Sequence, residues 1–215
     1  MKATFCFVDM AGFTALTEAH GDEAAAHLAM RLNEMVQHAL GSDGRIVKSI
    51  GDAVLAIMPT AADAVAFVQR LWTACSREPD FPVLRAGLHY GEAVERGTDV
   101  FGAAVNLAAR VAAEARGGQV LVTATVADAA RDLRIVVTPL GRTAFRNVRE
   151  PVELFSLDLA SEAREAVIDP VCRMRVSPEN AAGHLRIEGI DYWFCSLDCA
   201  GSFVADPGAY QRSAT

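Results

Sequence analysis

Apolar residues open the chain as a short unbroken block and then recur at helical spacing. Residues 4–8 read as a buried strand. After Gly12 the chain becomes helical, with Leu28, Leu32, Met35, Val36 and Leu40 at the three- and four-residue intervals of one helix face. Ser42, Asp43 and Gly44 break that helix. Strands are predicted over 45–50 and 53–58, joined at Gly51 and Asp52 as a hairpin with an acid at its tip. Pro59 stops the second strand, 61–75 is an apolar helix, and 84–90 returns as a strand ending at Gly91. A polar arm over 92–99 leads into a helix from about 103 to 115, closed by Gly117 and Gly118. A strand at 119–123, a helix over about 125–130 and closing strands at 135–140 and 152–158 complete the order. The fold class is α+β, one mixed sheet with helices on its outside.

The chain has 215 residues, 52% of them apolar, enough for one sizeable core and a small appended module. Composition shifts at Ala160, which predicts a domain over 1–160, a short charged linker over 161–167 and a separate unit over 168–211. A net charge of −7 with no basic run leaves no footprint for a nucleic-acid partner. Asp9 interrupts what would have to be a signal peptide's apolar stretch, and no apolar run approaches membrane-spanning length. A cytoplasmic protein with no membrane partner is expected. Three of the five cysteines crowd into the last 45 residues, which suggests a metal or redox module rather than a secreted disulfide framework. Cys6 and Cys75 lie in apolar elements and read as core. Of 20 basic side chains only Lys2 and Lys48 are lysines, so the internal one, four residues before Asp52, stands out.

Asp9 lies in Phe5-Cys6-Phe7-Val8-Asp9-Met10-Ala11-Gly12-Phe13-Thr14, and Asp52 in Ile46-Val47-Lys48-Ser49-Ile50-Gly51-Asp52-Ala53-Val54-Leu55-Ala56. Either alone would pass for a helix cap or a turn residue. Together they suit two divalent ions about 3.5–4 Å apart, and the free N–H groups of the helix start after Asp9 suit phosphate oxygens. With Asp99-Val100-Phe101-Gly102-Ala103-Ala104-Val105-Asn106-Leu107-Ala108-Ala109-Arg110, these strings resemble the class III nucleotidyl cyclase catalytic domain.

The resemblance implies a ferredoxin-like fold that turns a nucleoside triphosphate into a cyclic monophosphate, with two Mg2+ or Mn2+ ions held by Asp9, Met10 and Asp52. It places the triphosphate at Gly12, Phe13 and Thr14, the base at Lys48 and Asp99, the ribose at Asn106 and the charge of the transition state at Arg110. Arg146 stands where the family usually carries a triphosphate-binding lysine, and Asn147 where glycine usually follows. Tyr90 replaces a small hydroxyl residue. An ammonium and a carboxylate complement the pairing edge of adenine and mismatch guanine, so ATP is the expected substrate; cytosine shows the same donor and acceptor order, which leaves a pyrimidine nucleotide cyclase open. The family's sites are composite, which implies a homodimer. A catalytically silent nucleotide-binding dimer is the alternative of a different class.

The end of the chain, Asp169-Pro170-Val171-Cys172 followed by Tyr192-Trp193-Phe194-Cys195-Ser196-Leu197-Asp198-Cys199, Phe203, Asp206-Pro207 and Tyr210, resembles a YHS domain. Cys195 and Cys199 fall on one face of a helical turn and, with Cys172, could hold Zn2+ or another soft metal. Trp193 replaces the family's usual histidine. His184 is a candidate fourth ligand, and a reversible Cys195–Cys199 disulfide is the competing use of these thiols.

Overall fold

The computed structural model describes residues 1–42, 44–78, 80–159 and 167–211. Asp43 of the predicted helix break and residues 161–166 of the predicted linker lie outside the described residues.

The chain runs β1 (Lys2–Met10), α1 (Phe13–Ala39), β2 (Arg45–Ile50), β3 (Ala53–Met58), α2 (Ala61–Arg77), β4 (Leu84–Glu92), β5 (Val94–Arg96), β6 (Asp99–Phe101), α3 (Ala103–Glu114), β7 (Val120–Thr123), α4 (Ala124–Asp132), β8 (Val136–Thr143) and β9 (Val152–Asp158). After the undescribed stretch come β10 (Val167–Ile168), β11 (Arg175–Val176), a 3-10 turn (Pro178–Asn180), β12 (Gly183–Ile187), β13 (Ile190–Phe194), α5 (Leu197–Ala205) and α6 (Pro207–Gln211). Seven strands form one sheet in the order β2-β3-β1-β4-β7-β9-β8, mixed because β4 and β7 are parallel. The predicted polar arm is instead a hairpin, β5 against β6, pairing Arg96 with Asp99.

Alternation along β1 divides the molecule. Cys6, Val8 and Met10 enter the larger core with Leu32, Val36, Phe67 and Leu71 of α1 and α2. Ala3 and Phe5 point the other way and pack with Leu55, Val100, Ala104 and Ala108 under α3. Burial of this kind is worth about 25 cal/mol per Å² of apolar surface and is what fixes the register. Cys6 and Cys75 are both free and buried in the larger core, as expected.

Helix α3 crosses β4 at Gly87, where a β-carbon would lie 2.0 Å from the Ala112 amide nitrogen. Backbone cannot yield there as a flexible side chain would. Gly87→Ala is expected to destabilise the chain by about 3 kcal/mol, read as a lowered urea midpoint.

The C-terminal segment shares a core with the first domain. Leu16 and Ala25 of α1 are buried with Val171, Cys172, Met174, Phe194, Cys199 and Phe203. Backbone bonds from Val83 N to Arg173 O (3.1 Å) and Arg175 N to Phe81 O (3.3 Å) stitch the α2–β4 connection to the segment. The Arg175 guanidinium adds a bond to the Cys75 carbonyl at 2.8 Å. No helix among the described residues is long and apolar enough to cross a membrane.

Candidate active site

Asp9 sits near the end of β1 on the sheet face that carries α3, directly across from Ala53 on one side and Arg85 on the other. Arg85 Nε donates to Asp9 Oδ2 at 2.7 Å, with Nη2 also bonded to the same oxygen. Sequence reasoning missed Arg85, because only the β1–β4 register reveals that it faces Asp9.

Asp52 lies in the two-residue turn between β2 and β3, bounded by the Ile50–Ala53 pair. Gly51, with φ +59°, supplies the positive dihedral that a type II′ turn needs at its first central position. Burial, then a hydrogen bond to Asp9 and the Asp9 charge, together raise the Asp52 carboxyl to about 6, against the opposing pull of its own backbone and of Arg85. Two carboxyls close enough to share a proton, with one guanidinium between two charges, are short of positive charge, and this fits divalent cations. The Met10 side chain is buried in the core, so only its backbone can take part.

The β1–α1 connection turns through Gly12 in the left-handed region (φ +76°). Helix α1 has neither a side-chain cap nor an acid in its first turn. The amides of Phe13 and Thr14 therefore start the first leg of α1, which runs to the break at Gly21, without a competing side-chain acceptor.

A bulge at Val47 decides where Lys48 points. The β2–β3 register steps from Ile46–Ala56 to Lys48–Leu55, and Leu55 belongs to the core under α3. Simple alternation would have sent Lys48 to the other face; bulges re-aim side chains in this way. Lys48 Nζ instead donates to both Asp99 oxygens at 2.8 Å, so its partner is Asp99 and not Asp52. That hydrogen bond, with one from Val100 N, holds the Asp99 carboxyl below the usual carboxylate range.

Asn106 and Arg110 lie one turn apart on α3, opposite the side that buries Ala104, Val105, Ala108 and Val111. The Arg110 guanidinium donates to the Arg146 carbonyl, which brings these two predicted residues together. Asn147 has φ +62°, in the left-handed region that asparagine tolerates better than most residues. Tyr90 packs into the larger core, on the sheet face opposite Asp9.

In the C-terminal segment the three predicted cysteines converge. Cys195 Sγ lies 3.3 Å from Cys172 Sγ and 3.7 Å from Cys199 Sγ. Hydrogen bonds from Cys172 and Cys195 pull the Cys199 thiol well below its ordinary range, while Cys172 is pushed up by the same contacts. His184 does not join them: its ring stacks on Trp193 at 4.0 Å and its Nε2 bonds Asp191 at 2.8 Å, on the exposed β12–β13 hairpin. A histidine the sequence did not single out does reach the thiols, His20 of α1.

A mixed sheet with two facing acids at a phosphate-ready helix start, and a lysine–carboxylate pair on the same face, defines an α+β catalytic domain of the nucleotide-handling kind. The chain belongs to the adenylate and guanylate cyclase catalytic domain family, whose model matches residues 1–158. It is similar to a pH-sensitive adenylate cyclase of Mycobacterium tuberculosis (strain CDC 1551 / Oshkosh), 40% identical over 121 residues, 56% of this chain and 30% of the relative. An adenylate cyclase of Streptomyces griseus is 34% identical over 117 residues, 54% of this chain and 29% of that protein. The chain thus spans under a third of the length of these curated relatives. Among solved structures it resembles the adenylyl cyclase CyaB from P. aeruginosa, with a TM-score of 0.62, 25% identity and coverage of 75% of this chain and 96% of that one. An adenylate/guanylate cyclase/hydrolase from Silicibacter pomeroyi gives a TM-score of 0.65 at 29% identity, covering 73% and 96%.

Proposed function

We propose that the chain is an adenylate cyclase working as a homodimer, converting ATP to cyclic AMP and pyrophosphate. The observation that carries this reading is the Lys48–Asp99 pair, re-aimed by the Val47 bulge onto the sheet face that holds Asp9. Family membership supports the reaction type, and the names of the relatives support the adenine base.

Asp9, Asp52 and the Met10 carbonyl would hold two divalent cations, Mg2+ or Mn2+, which when bound would supply Lewis-acid activation of the ribose 3′-oxygen and screening of the triphosphate charge. Arg85 fixes the Asp9 carboxylate from the neighbouring strand. The amides of Gly12, Phe13 and Thr14 at the head of α1 receive phosphate oxygens, with Arg146 as the further cation. Lys48 donates to adenine N1, and Asp99 accepts from the exocyclic amine. Asn106 orients the ribose so that the 3′-oxygen lies in line with the α-phosphorus. As the new O–P bond forms and the bond to pyrophosphate breaks, Arg110 meets the charge that builds on the α-phosphate.

The acids of one protomer would serve with the base, ribose and arginine residues of its partner, giving two equivalent sites. Exposed Val94, Phe101 and Ile50, 52%, 53% and 63% accessible around the Lys48–Asp99 pair, supply apolar surface for that contact. The C-terminal segment is read as a YHS-like regulatory module on this dimer.

Incubating the purified chain with Mn2+ and each of ATP, GTP, CTP and UTP tests the substrate. Cyclic AMP is expected as the main product, favoured over cyclic GMP by at least about tenfold, well inside the 10⁴–10⁵ that a polar pocket can reach. Cyclic CMP as the main product would move the reading to a pyrimidine cyclase. No product from any nucleotide, with ATP still bound, would move it to a silent binding dimer.

A further inference from the structure

Outside the cyclase face, the described residues hold a second cluster of metal-binding chemistry, and it spans the two parts of the chain. The three thiols are joined by His20, which belongs to the catalytic domain. His20 Nε2 lies 3.4 Å from Cys195 Sγ and 3.9 Å from Cys199 Sγ, and all four donor atoms fall within 4.8 Å of one another.

Four of the six separations among the donor atoms lie near the edges of a tetrahedral metal site, and the other two, from Cys172 to Cys199 and to His20, are within 4.8 Å. With zinc–sulfur bonds of about 2.3 Å and zinc–nitrogen bonds of about 2.0–2.1 Å, a tetrahedral site has sulfur–sulfur edges near 3.8 Å and sulfur–nitrogen edges near 3.6 Å. The cluster has sulfur–sulfur separations of 3.3 and 3.7 Å and sulfur–nitrogen separations of 3.4 and 3.9 Å. All five cysteines are free thiols, so no disulfide competes for these sulfurs in this arrangement.

The surroundings are built for ligation. Asp169 is fully buried, and its carboxylate accepts from the amides of Val171 (2.8 Å), Cys172 (3.4 Å) and Cys195 (2.8 Å), which ties two ligand-bearing loops to one anchor. Ser196 caps α5 by accepting from Cys199 N at 3.1 Å, which sets Cys199 in a first helical turn, where a thiolate is favoured. Cys195 and His20 are the partly exposed members and line a cleft of about 920 Å³ between α1, the end of α2 and the C-terminal segment, an access route for an ion.

His20 also has a telling place in its helix. Gly21 directly after it has φ +82° and ψ 165°, a conformation open in practice to glycine alone, and it breaks α1 into two legs. The first leg, residues 13–20, begins at the helix start that faces the proposed triphosphate and ends at the thiol cluster.

We propose that His20, Cys172, Cys195 and Cys199 form a closed tetrahedral site for Zn2+ or a similar borderline-soft divalent ion, which clamps the C-terminal segment onto the first leg of α1. Four protein ligands leave no open position, so the ion is structural or regulatory and not catalytic. The site stands on its own geometry, whatever nucleotide the cyclase face takes.

The test uses the full reduced chain, stripped with a chelator and titrated with Zn2+, with Co2+ as the optical probe. One tightly bound Zn2+ per chain is expected, with thiolate-to-cobalt charge transfer and the intense visible bands of tetrahedral coordination. His20→Ala should weaken binding beyond the about 10–100-fold that loss of an outer partner costs and should alter the cobalt spectrum. His20→Cys should restore a tetrahedral spectrum of all-sulfur type, which guards against His20→Ala acting only through misfolding. Asp52→Ala, which disables the cyclase face, should leave the cobalt spectrum unchanged. The proposal is overturned if the reduced chain binds no stoichiometric Zn2+, or if His20→Ala matches the parent in both affinity and spectrum.

Discussion

Asp52→Ala is expected to lower cyclic AMP formation by at least about 10³-fold, equivalent to about 4 kcal/mol of lost transition-state stabilisation. The loss should come without loss of the fold. Asp52 occupies a turn whose geometry rests on Gly51, and its carboxyl faces Asp9 as a like charge. Its proton affinity sets the sign of the stability effect. A carboxyl raised to about 6 in the folded chain binds its proton more tightly there than in the unfolded chain, so this group withdraws stability as pH rises from about 4 to 6. Above that range the metal-free variant should therefore melt at or above the parent temperature. Added Mn2+ should raise the melting temperature of the parent and not of the variant, because only an ion that binds the folded chain stabilises it. A variant that loses activity together with its melting transition would point to a structural role instead.

The second large effect is expected at Arg110. Arg110→Ala should cost about 10²–10³-fold in turnover with little change in ATP affinity, the signature of a group engaged as charge builds and not before. Arg110→Lys should not rescue it. The guanidinium also donates to the Arg146 carbonyl, and a single ammonium cannot both hold that loop and meet a phosphate oxygen in a fixed fork. Single-turnover rates and nucleotide titration together check this prediction. Weakened ATP binding at unchanged turnover would assign Arg110 to ground-state contact.

The sequence singled out Asp9 with Asp52, Lys48 with Asp99, and Asn106 with Arg110 because each sits in a string whose pattern survives without its partners, and the first two pairs are in contact in the fold. Strands β2, β3 and β9 have the bounds predicted for them, 45–50, 53–58 and 152–158. The β5–β6 hairpin was not legible: Val94, Glu95 and Arg96 are all exposed, so no alternation marks them, and the strand exists only through its pairing with residues 99–101. Arg85 hid for a related reason. It is one charge in an apolar strand, and its meaning depends on a cross-strand register that spacing does not give. The direction of Lys48 rests on the Val47 bulge, which overrides simple alternation. His20 was the least visible of all. It lies inside a helical pattern far from the cysteines in sequence, and only the packing of α1 against the C-terminal segment joins them. His184, nearer in sequence, found a stacking partner in Trp193 instead.

The proposed composite site is tested most directly by mixing the Asp52→Ala and Arg110→Ala variants, each expected to be inactive alone, under conditions that let protomers exchange. Each mixed dimer would hold one site with both defects and one with neither, so random pairing predicts about one quarter of the parent's cyclic AMP formation. Activity that stays at background, with mixed dimers shown to form, would contradict the account.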